Sequence, residues 1–123
     1  MDLIQVAQGV QDLDRATAFY TSLLGEEPLA RFDPPGLVFF GLGRTRLLLE
    51  VGAPTAMLYL KVDDVRERVE TLRRDGVVID TEPHVIFEHE DDTLGPAGRA
   101  EWHAFIRDSE DNLVGLVSHN APE

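Results

Sequence analysis

The sequence predicts an α+β fold made of two copies of one βαβββ module that together form a half-open sheet cavity. The main observation is a strand-to-helix unit that occurs twice, as Val10 to Leu13 and as Val62 to Val65, at an offset of 52 residues from Val10 to Val62. Each copy follows a short apolar run, and each precedes a helical pattern that ends in glycine, Gly25 or Gly76. Each repeat is one supersecondary unit that cannot bury its apolar face alone, so the two copies belong together.

The first module begins with a strand over Leu3 to Val10, in which side chains alternate between two faces. Asp12 is placed to cap the helix that follows, and Gly25 is a left-handed residue at its end. Apolar residues at helical spacing fill the stretch between them. Proline and glycine clusters then separate three predicted strands: Pro28 to Phe32, Gly36 to Leu42 and Thr45 to Val51.

The second module repeats this order. Met57 to Val62 forms a strand, Asp64 and Glu67 have capping-box spacing, and Asp75-Gly76 closes the second helix. The remaining predicted strands are Val77 to Asp80 with a continuation to Phe87, Glu101 to Arg107, and Asn112 to Val117. We therefore expect a single domain over residues 1–123, with repeats at approximately 1–52 and 57–118.

The composition favours a small-molecule partner. A chain of 123 residues with 43% hydrophobic and 28% charged residues is typical of a globular domain. The net charge of −12 disfavours nucleic acid and anionic membranes, and no apolar run is long enough to span a bilayer. The absence of cysteine excludes disulfides and thiol ligands. We expect a cytoplasmic protein and a cationic or neutral ligand, although the acidity also serves solubility.

The motifs resemble one superfamily over nearly the whole chain, from Leu3 to Ser118. The relevant segments are Val10 to Ala16, Phe19-Tyr20, Leu24-Gly25 and Asp108 to Leu113. They are similar to the vicinal oxygen chelate superfamily, which includes glyoxalase I, extradiol dioxygenases and bleomycin-resistance proteins. The resemblance implies the paired βαβββ fold. It leaves function open, because this fold supports isomerisation, ring cleavage, thiol addition and plain drug binding.

In metal-dependent members, four ligands from the two halves hold one divalent ion. The resemblance places these positions at Gln5, Glu50, Met57 and Gly115. A thioether suits soft ions, and glycine offers no side chain, so two of the four ligands are missing. We therefore expect no cofactor. The alternative is a divalent metal at a rearranged site made of Gln5 and Glu50 with His84 or His103.

Among the histidines, His103 is the favoured substitute ligand. Strand alternation places it and Trp102 on opposite faces, so one of the two points away from the helix layer. His89 lies in an acidic loop expected to be mobile, and His119 is close to the end of the predicted last strand. For each, a hydrogen-bonded structural histidine is the competing interpretation.

Alternation also predicts the walls of the cavity. If Glu50 faces it, Arg46 and Leu48 do too, and Tyr59 follows Met57. Glu50 is the candidate catalytic base. The expected ligand-binding residues are Gln5, Arg46, Leu48, Met57, Tyr59, His103, Leu113 and Gly115. The alternative is that Glu50 pairs with Arg46 or Lys61 and that Met57 and Tyr59 fill the core.

Three classes of function remain: a metal-independent small-molecule binder, which we favour; a glyoxalase- or dioxygenase-type enzyme with a rearranged metal site; and a dimeric scaffold. We expect a homodimer, because members of the resembled superfamily commonly cover their sheet edges by pairing. The candidate interface elements are the apolar strand Leu37 to Leu42 and the loop around Trp102.

Overall fold

The structure is a computed structural model that describes residues 1–122. Its strands and helices are Gln5–Val10 (β1), Leu13–Leu24 (α1), Ala30–Phe32 (β2), Leu37–Leu42 (β3), Thr45–Val51 (β4), Leu58–Lys61 (β5), Val65–Arg74 (α2), Ile79–Glu88 (β6), Ala100–Arg107 (β7) and Leu113–Asn120 (β8). The chain forms two compact units, one of residues 1–56 with 109–112, the other of residues 57–108 with those from Leu113 onward. Each unit holds one four-stranded mixed sheet and one helix, which confirms the predicted α+β class and the repeated module.

The first unit has strand order β1-β4-β3-β2, with β1 parallel to β4 and the other pairs antiparallel. Helix α1 begins and ends as the sequence predicts. The Asp12 carboxylate accepts a hydrogen bond from the Arg15 amide at 3.0 Å, and Gly25 ends the helix with φ of 68°. The Asp12 cap and the glycine at position 25 depend only on residues of this segment, so both can be predicted from the local sequence.

The two faces of the first sheet differ in burial. Leu47 and Leu49 are almost fully buried on the face that α1 covers, and on the same face the Gln8 amide donates to the Tyr20 hydroxyl at 3.1 Å. Alternation turns Arg46, Leu48 and Glu50 to the opposite face, as expected. The Arg46 Nε atom donates to Gln5 Oε1 at 3.2 Å, which places Gln5 on that face too.

The second unit has strand order β5-β8-β7-β6. Asp64 caps α2 by accepting a hydrogen bond from the Arg66 amide at 2.9 Å, which confirms the predicted helix start. Trp102 is buried on the helix side, where the Arg66 guanidinium carbon lies 4.3 Å from its ring centroid. His103 lies on the opposite face, as alternation predicted.

The predicted continuation of β6 to Phe87 is confirmed, and β8 runs further than the sequence indicated. β6 is continuous from Ile79 to Glu88, because register shifts against β7 absorb its irregularities without ending the strand. β8 continues past Val117 to Asn120, because its pairing with β7 extends to the Ala100–Asn120 pair. His119 therefore lies inside a strand, beyond the end at Val117 that the sequence indicated.

The turn of residues 109–112 joins β7 to β8 in the chain but belongs to the first unit. The Glu110 carboxylate accepts hydrogen bonds from the backbone amides of Gln11 and Asp12, both at 2.8 Å. The Asn112 side-chain amide donates to the Gly9 carbonyl at 2.9 Å. The turn thus supplies hydrogen-bond partners to the start of α1 and to β1.

The two elements expected at a dimer interface lie inside the sheets. β3, which contains Leu37 to Leu42, is paired on one side with β2 and on the other with β4. Trp102 lies on β7 between β6 and β8, and only 5% of it is exposed. Neither β3 nor β7 offers a free strand edge.

Within residues 1–122, neither helix has the length and apolar character needed to cross a membrane.

Candidate functional site

The two superfamily metal positions in the first unit do not converge. Gln5 is paired with Arg46, whereas Glu50 is paired with Gly9. This register separates Gln5 and Glu50 by four residues, or roughly 13 Å along parallel strands. Two side chains that stand upright on a sheet at this separation do not reach one ion.

The two positions in the second unit also lack a ligand set. Met57 is 43% exposed and lies just before β5. At Gly115, a Cβ atom would lie 2.7 Å from Cδ1 of Tyr59 and 3.1 Å from Cε1 of Phe105. The rings of Tyr59 and Phe105 thus fill the space that a side chain at this position would need. The four residues do not fit the superfamily's ion.

Aromatic rings occupy the space beside Gly115, the fourth of the superfamily's metal positions. The ring centroid of Tyr59 lies 5.7 Å from that of His103 and 6.0 Å from that of Phe105. Tyr59 is 54% exposed, so one side of this aromatic cluster faces solvent. Leu113, another residue of the expected pocket, is half-buried at the start of β8, two positions before Gly115. The cluster is an apolar platform with one imidazole at its edge.

The first sheet presents a different surface opposite α1. The Arg46 guanidinium carbon lies 5.7 Å from the ring centroid of Phe39, and Leu48 is buried. Glu50 is half-buried, and in the part of the chain that the structure describes no ion pair joins it to Arg46. The separation of four residues along β4 explains this, because the two side chains start roughly 13 Å apart.

Three imidazoles meet at one carboxylate in the second unit. Glu101 Oε1 lies 3.0 Å from His89 Nε2 and 3.1 Å from His119 Nε2. Its Oε2 atom lies 2.7 Å from His103 Nε2. The side chain of His89 is 2% exposed, and those of the other three residues are each 14% exposed. We call His89, Glu101, His103 and His119 the histidine cluster.

The loop of residues 89–99 folds over this cluster. The His89 amide donates to the Arg99 carbonyl, and the His89 carbonyl accepts from the Gly98 amide, both at 2.8 Å. A Cβ atom at Gly95 would lie 2.7 Å from Cε1 of His89 and 3.1 Å from Cε1 of His119. His89 is therefore enclosed, and its backbone is doubly hydrogen-bonded to this loop.

The charge state of Glu101 follows from these contacts. Burial raises the pKa of its carboxyl group, but hydrogen bonds from His103, His119 and His89 outweigh that effect and leave the pKa below its usual range. The group is an anion at neutral pH. An anion in contact with three imidazoles can hold a cation.

His84 does not join the histidine cluster. Its Nδ1 atom lies 2.9 Å from the Glu82 carbonyl oxygen, a local contact on exposed β6. Of the two substitute ligands that the sequence suggested, only His103 belongs to the histidine cluster, through its contact with Glu101.

Comparison with known proteins assigns the family. The model of the Glyoxalase/Bleomycin resistance protein/Dioxygenase superfamily matches residues 3–114. The chain belongs to this superfamily. No curated protein matches the chain significantly by sequence.

Solved structures of other superfamily folds are similar over most of the chain. A glyoxalase I variant from Zea mays is 21% identical with a TM-score of 0.72, and the match covers 96% of this chain but only 44% of that one. Lactoylglutathione lyase from Agrobacterium tumefaciens is 24% identical with a TM-score of 0.67, covering 95% and 92% of the two chains. A virulence protein from Salmonella typhimurium is 17% identical with a TM-score of 0.72, covering 96% of each. At these identities the likeness shows the fold alone.

Proposed function

We propose that this superfamily member binds a small organic molecule against the rings of Tyr59, His103 and Phe105, without an ion at the superfamily's metal positions. The supporting observation is the occupation of the space beside Gly115 by the rings of Tyr59 and Phe105. Aromatic rings with one solvent-facing side bind planar groups by stacking and cations through the ring face. Leu113 and Met57 extend the same surface in this proposal.

We propose, separately from the aromatic rings, that the first sheet has a polar binding surface of its own at Gln5, Arg46, Leu48 and Glu50. The hydrogen-bonded pair of Gln5 and Arg46 offers donors, and Glu50 offers a half-buried carboxylate without a cation partner on its own strand. The net charge of −12 favours a cationic ligand over an anionic one. Glu50 would bind a ligand cation or act as a base toward it.

Metal-free bleomycin is a suitable cationic, aromatic probe, and calorimetry in EDTA buffer measures its binding. We expect saturable binding to the unmodified protein. Tyr59→Ala should weaken binding about tenfold, which corresponds to roughly 1.4 kcal/mol, because it removes a stacking ring. Tyr59→Phe keeps the ring and should bind like the unmodified protein.

The matched control is Val78→Ala, which truncates another exposed apolar residue of the second unit, 62% accessible, outside the aromatic cluster. It should leave affinity unchanged. The proposal would be contradicted if Val78→Ala and Tyr59→Ala lost the same amount of affinity. It would also be contradicted if cationic aromatic probes bound only after divalent metal is added.

The second candidate is a metal-dependent enzyme of glyoxalase or dioxygenase type with a rearranged metal site. The histidine cluster favours it, since imidazole and carboxylate are the ligands that such ions prefer. Turnover of methylglyoxal with glutathione, present with added zinc or nickel and absent in EDTA, would make this candidate the leading one.

We also propose a cytoplasmic homodimer. The outer strands β1, β2, β5 and β6 each have one side without a strand partner in the order of their own sheet. Sedimentation equilibrium at micromolar concentration should give twice the chain mass of 13.7 kDa. A strictly monomeric mass would remove this proposal.

A further inference from the structure

We infer that the histidine cluster is a site for one divalent transition-metal ion, with zinc as the preferred ion. His89 Nε2, His119 Nε2 and one Glu101 oxygen would be the ligands, and His103 would hold the other oxygen. These are not the superfamily's metal positions. None of the three ligands belongs to the aromatic platform, so the inference shares only His103 with the proposed function.

The distances between the donor atoms suit one small ion. Glu101 Oε1 lies 3.0 Å and 3.1 Å from the two imidazole nitrogens, and one donor atom from each of the three residues lies within 4.8 Å of the others. Tetrahedral zinc with bonds of about 2.0–2.1 Å needs ligand atoms roughly 3.4 Å apart. The two short distances are therefore within a few tenths of an ångström of this separation.

The positions of the ligands are set by rigid elements. Glu101 and His119 are directly paired across the β7–β8 ladder. His89 comes from the end of β6, and its backbone is bonded on both sides to the loop of residues 89–99. Ligands that come from three separate segments close one site only when the folded chain brings them together, so metal binding would stabilise the fold.

The donor chemistry selects the class of ion. Any N–H group could satisfy a buried carboxylate, but here every donor is an imidazole, a side chain that exchanges its proton for a metal bond near neutral pH. Calcium and magnesium prefer all-oxygen ligand sets, which this site does not offer. Two imidazoles and one carboxylate fit zinc and leave a fourth position for water.

The surroundings of the site limit its exposure and favour a cation. The Phe87 ring centroid lies 4.6 Å from that of His89, and Gly95 covers both His89 and His119. The same loop carries Glu90, Asp91 and Asp92, whose charges lower the energy of a cation nearby. The Asp92 carboxylate accepts from the Ala97 amide at 2.8 Å and so keeps the loop folded.

The histidine His103 would act as a positioning residue. Its Nε2 atom lies 2.7 Å from Glu101 Oε2, which fixes the carboxylate with Oε1 toward the other two imidazoles. Such partners of a metal ligand typically change affinity by about 10–100-fold when they are removed. His103→Ala should therefore weaken binding without abolishing it.

The test uses the full chain, stripped with EDTA and dialysed, then titrated with zinc chloride by competition with a chromophoric chelator. We expect one equivalent per chain with a dissociation constant below about 1 μM. Cobalt in place of zinc should give the intense visible bands of a four-coordinate ion with nitrogen and oxygen ligands. His119→Ala and Glu101→Ala should each lower affinity at least hundredfold.

His84→Ala is the matched control: His84 pairs with His103 across the β6–β7 ladder, but its imidazole contacts the Glu82 carbonyl of its own strand. It should bind zinc like the unmodified protein. If Glu101→Ala fails to fold, Gly95→Ala provides a second test, since its methyl group would press on both imidazoles and should reduce affinity. The inference would be overturned if the chain bound less than half an equivalent of zinc at 50 μM zinc. It would also be overturned if His119→Ala bound zinc as tightly as the unmodified protein. The titration uses no organic ligand, so its failure is distinct from failure of the bleomycin experiment.

Discussion

Replacing Glu110 with glutamine should lower the free energy of unfolding at pH 7 by about 2–3 kcal/mol. The Glu110 side chain is 1% exposed, and its Oε2 atom accepts from Arg15 Nε at 2.7 Å while Oε1 binds the amides of Gln11 and Asp12. The hydrogen bond from Arg15, opposed by burial and aided by those amides, lowers the pKa of Glu110 from 4.5 to about 2. Glutamine keeps an oxygen for one partner but loses the charge that favours the positive end of α1.

The stabilisation by the Glu110 carboxylate should depend on pH. The folded pKa of Glu110 is below the unfolded one, so its stabilisation is complete above about pH 5 and is lost as the pH falls toward 2. Urea denaturation at pH 7, 5 and 3 should show the difference between the unmodified protein and Glu110→Gln shrinking by more than half from pH 5 to pH 3. Glu26→Gln, at an exposed glutamate just after α1, should change stability by less than about 0.5 kcal/mol. A difference for Glu110→Gln that stays constant with pH would show that charge is not the cause.

Gly9→Ala should be the most damaging small substitution in the first sheet, costing about 3 kcal/mol or more. A Cβ atom at Gly9 would lie 2.1 Å from the carbonyl oxygen of Ala53 and 2.9 Å from Thr55 Oγ1. Thr55 and Gly9 cannot separate freely, because the Gly9 amide donates to Thr55 Oγ1 at 3.0 Å and the Gly9 carbonyl accepts from Asn112. Relief of the clash would break these bonds.

Gly41→Ala is the matched control for Gly9→Ala. Gly41 lies on β3 of the same sheet, and its added Cβ would be 3.5 Å from Leu29 Cδ1, an ordinary van der Waals distance. Chemical denaturation should show a change of less than about 1 kcal/mol for this variant. Similar losses in both variants would mean that general glycine effects in strands, and not the contact with Ala53, determine the cost.

The parts of the fold that depend on residues close together in the sequence were predictable. Asp12 and Gly25 mark α1 by capping chemistry, and alternation correctly placed Trp102 and His103 on opposite faces. The lateral register of β1 against β4 was not predictable, since no short turn joins these strands and side-chain facing alone fits several registers. For this reason Gln5 and Glu50 looked like partners in the sequence but are separated in the sheet.

The histidine cluster was missed for a related reason. Glu101 is two residues before His103, so alternation already placed both on one face. Pairing Arg107 with Leu113 across the turn would have predicted the Glu101–His119 pair, but the last strand was ended too early. The contribution of His89 depends on how the loop of residues 89–99 folds, and on the lack of a side chain at Gly95, which no local pattern reveals.

The turn of residues 109–112 also constrains the order in which a nascent chain can mature. Residues 1–56 leave the ribosome first, yet the start of α1 and the Gly9 carbonyl receive their partners from Glu110 and Asn112. Until translation passes residue 112, the first unit carries unpaired polar groups and lacks the charge that stabilises its helix. The emerging first half is then a marginal intermediate that remains open to chaperones and proteases, and its maturation is coupled to synthesis of the last hairpin.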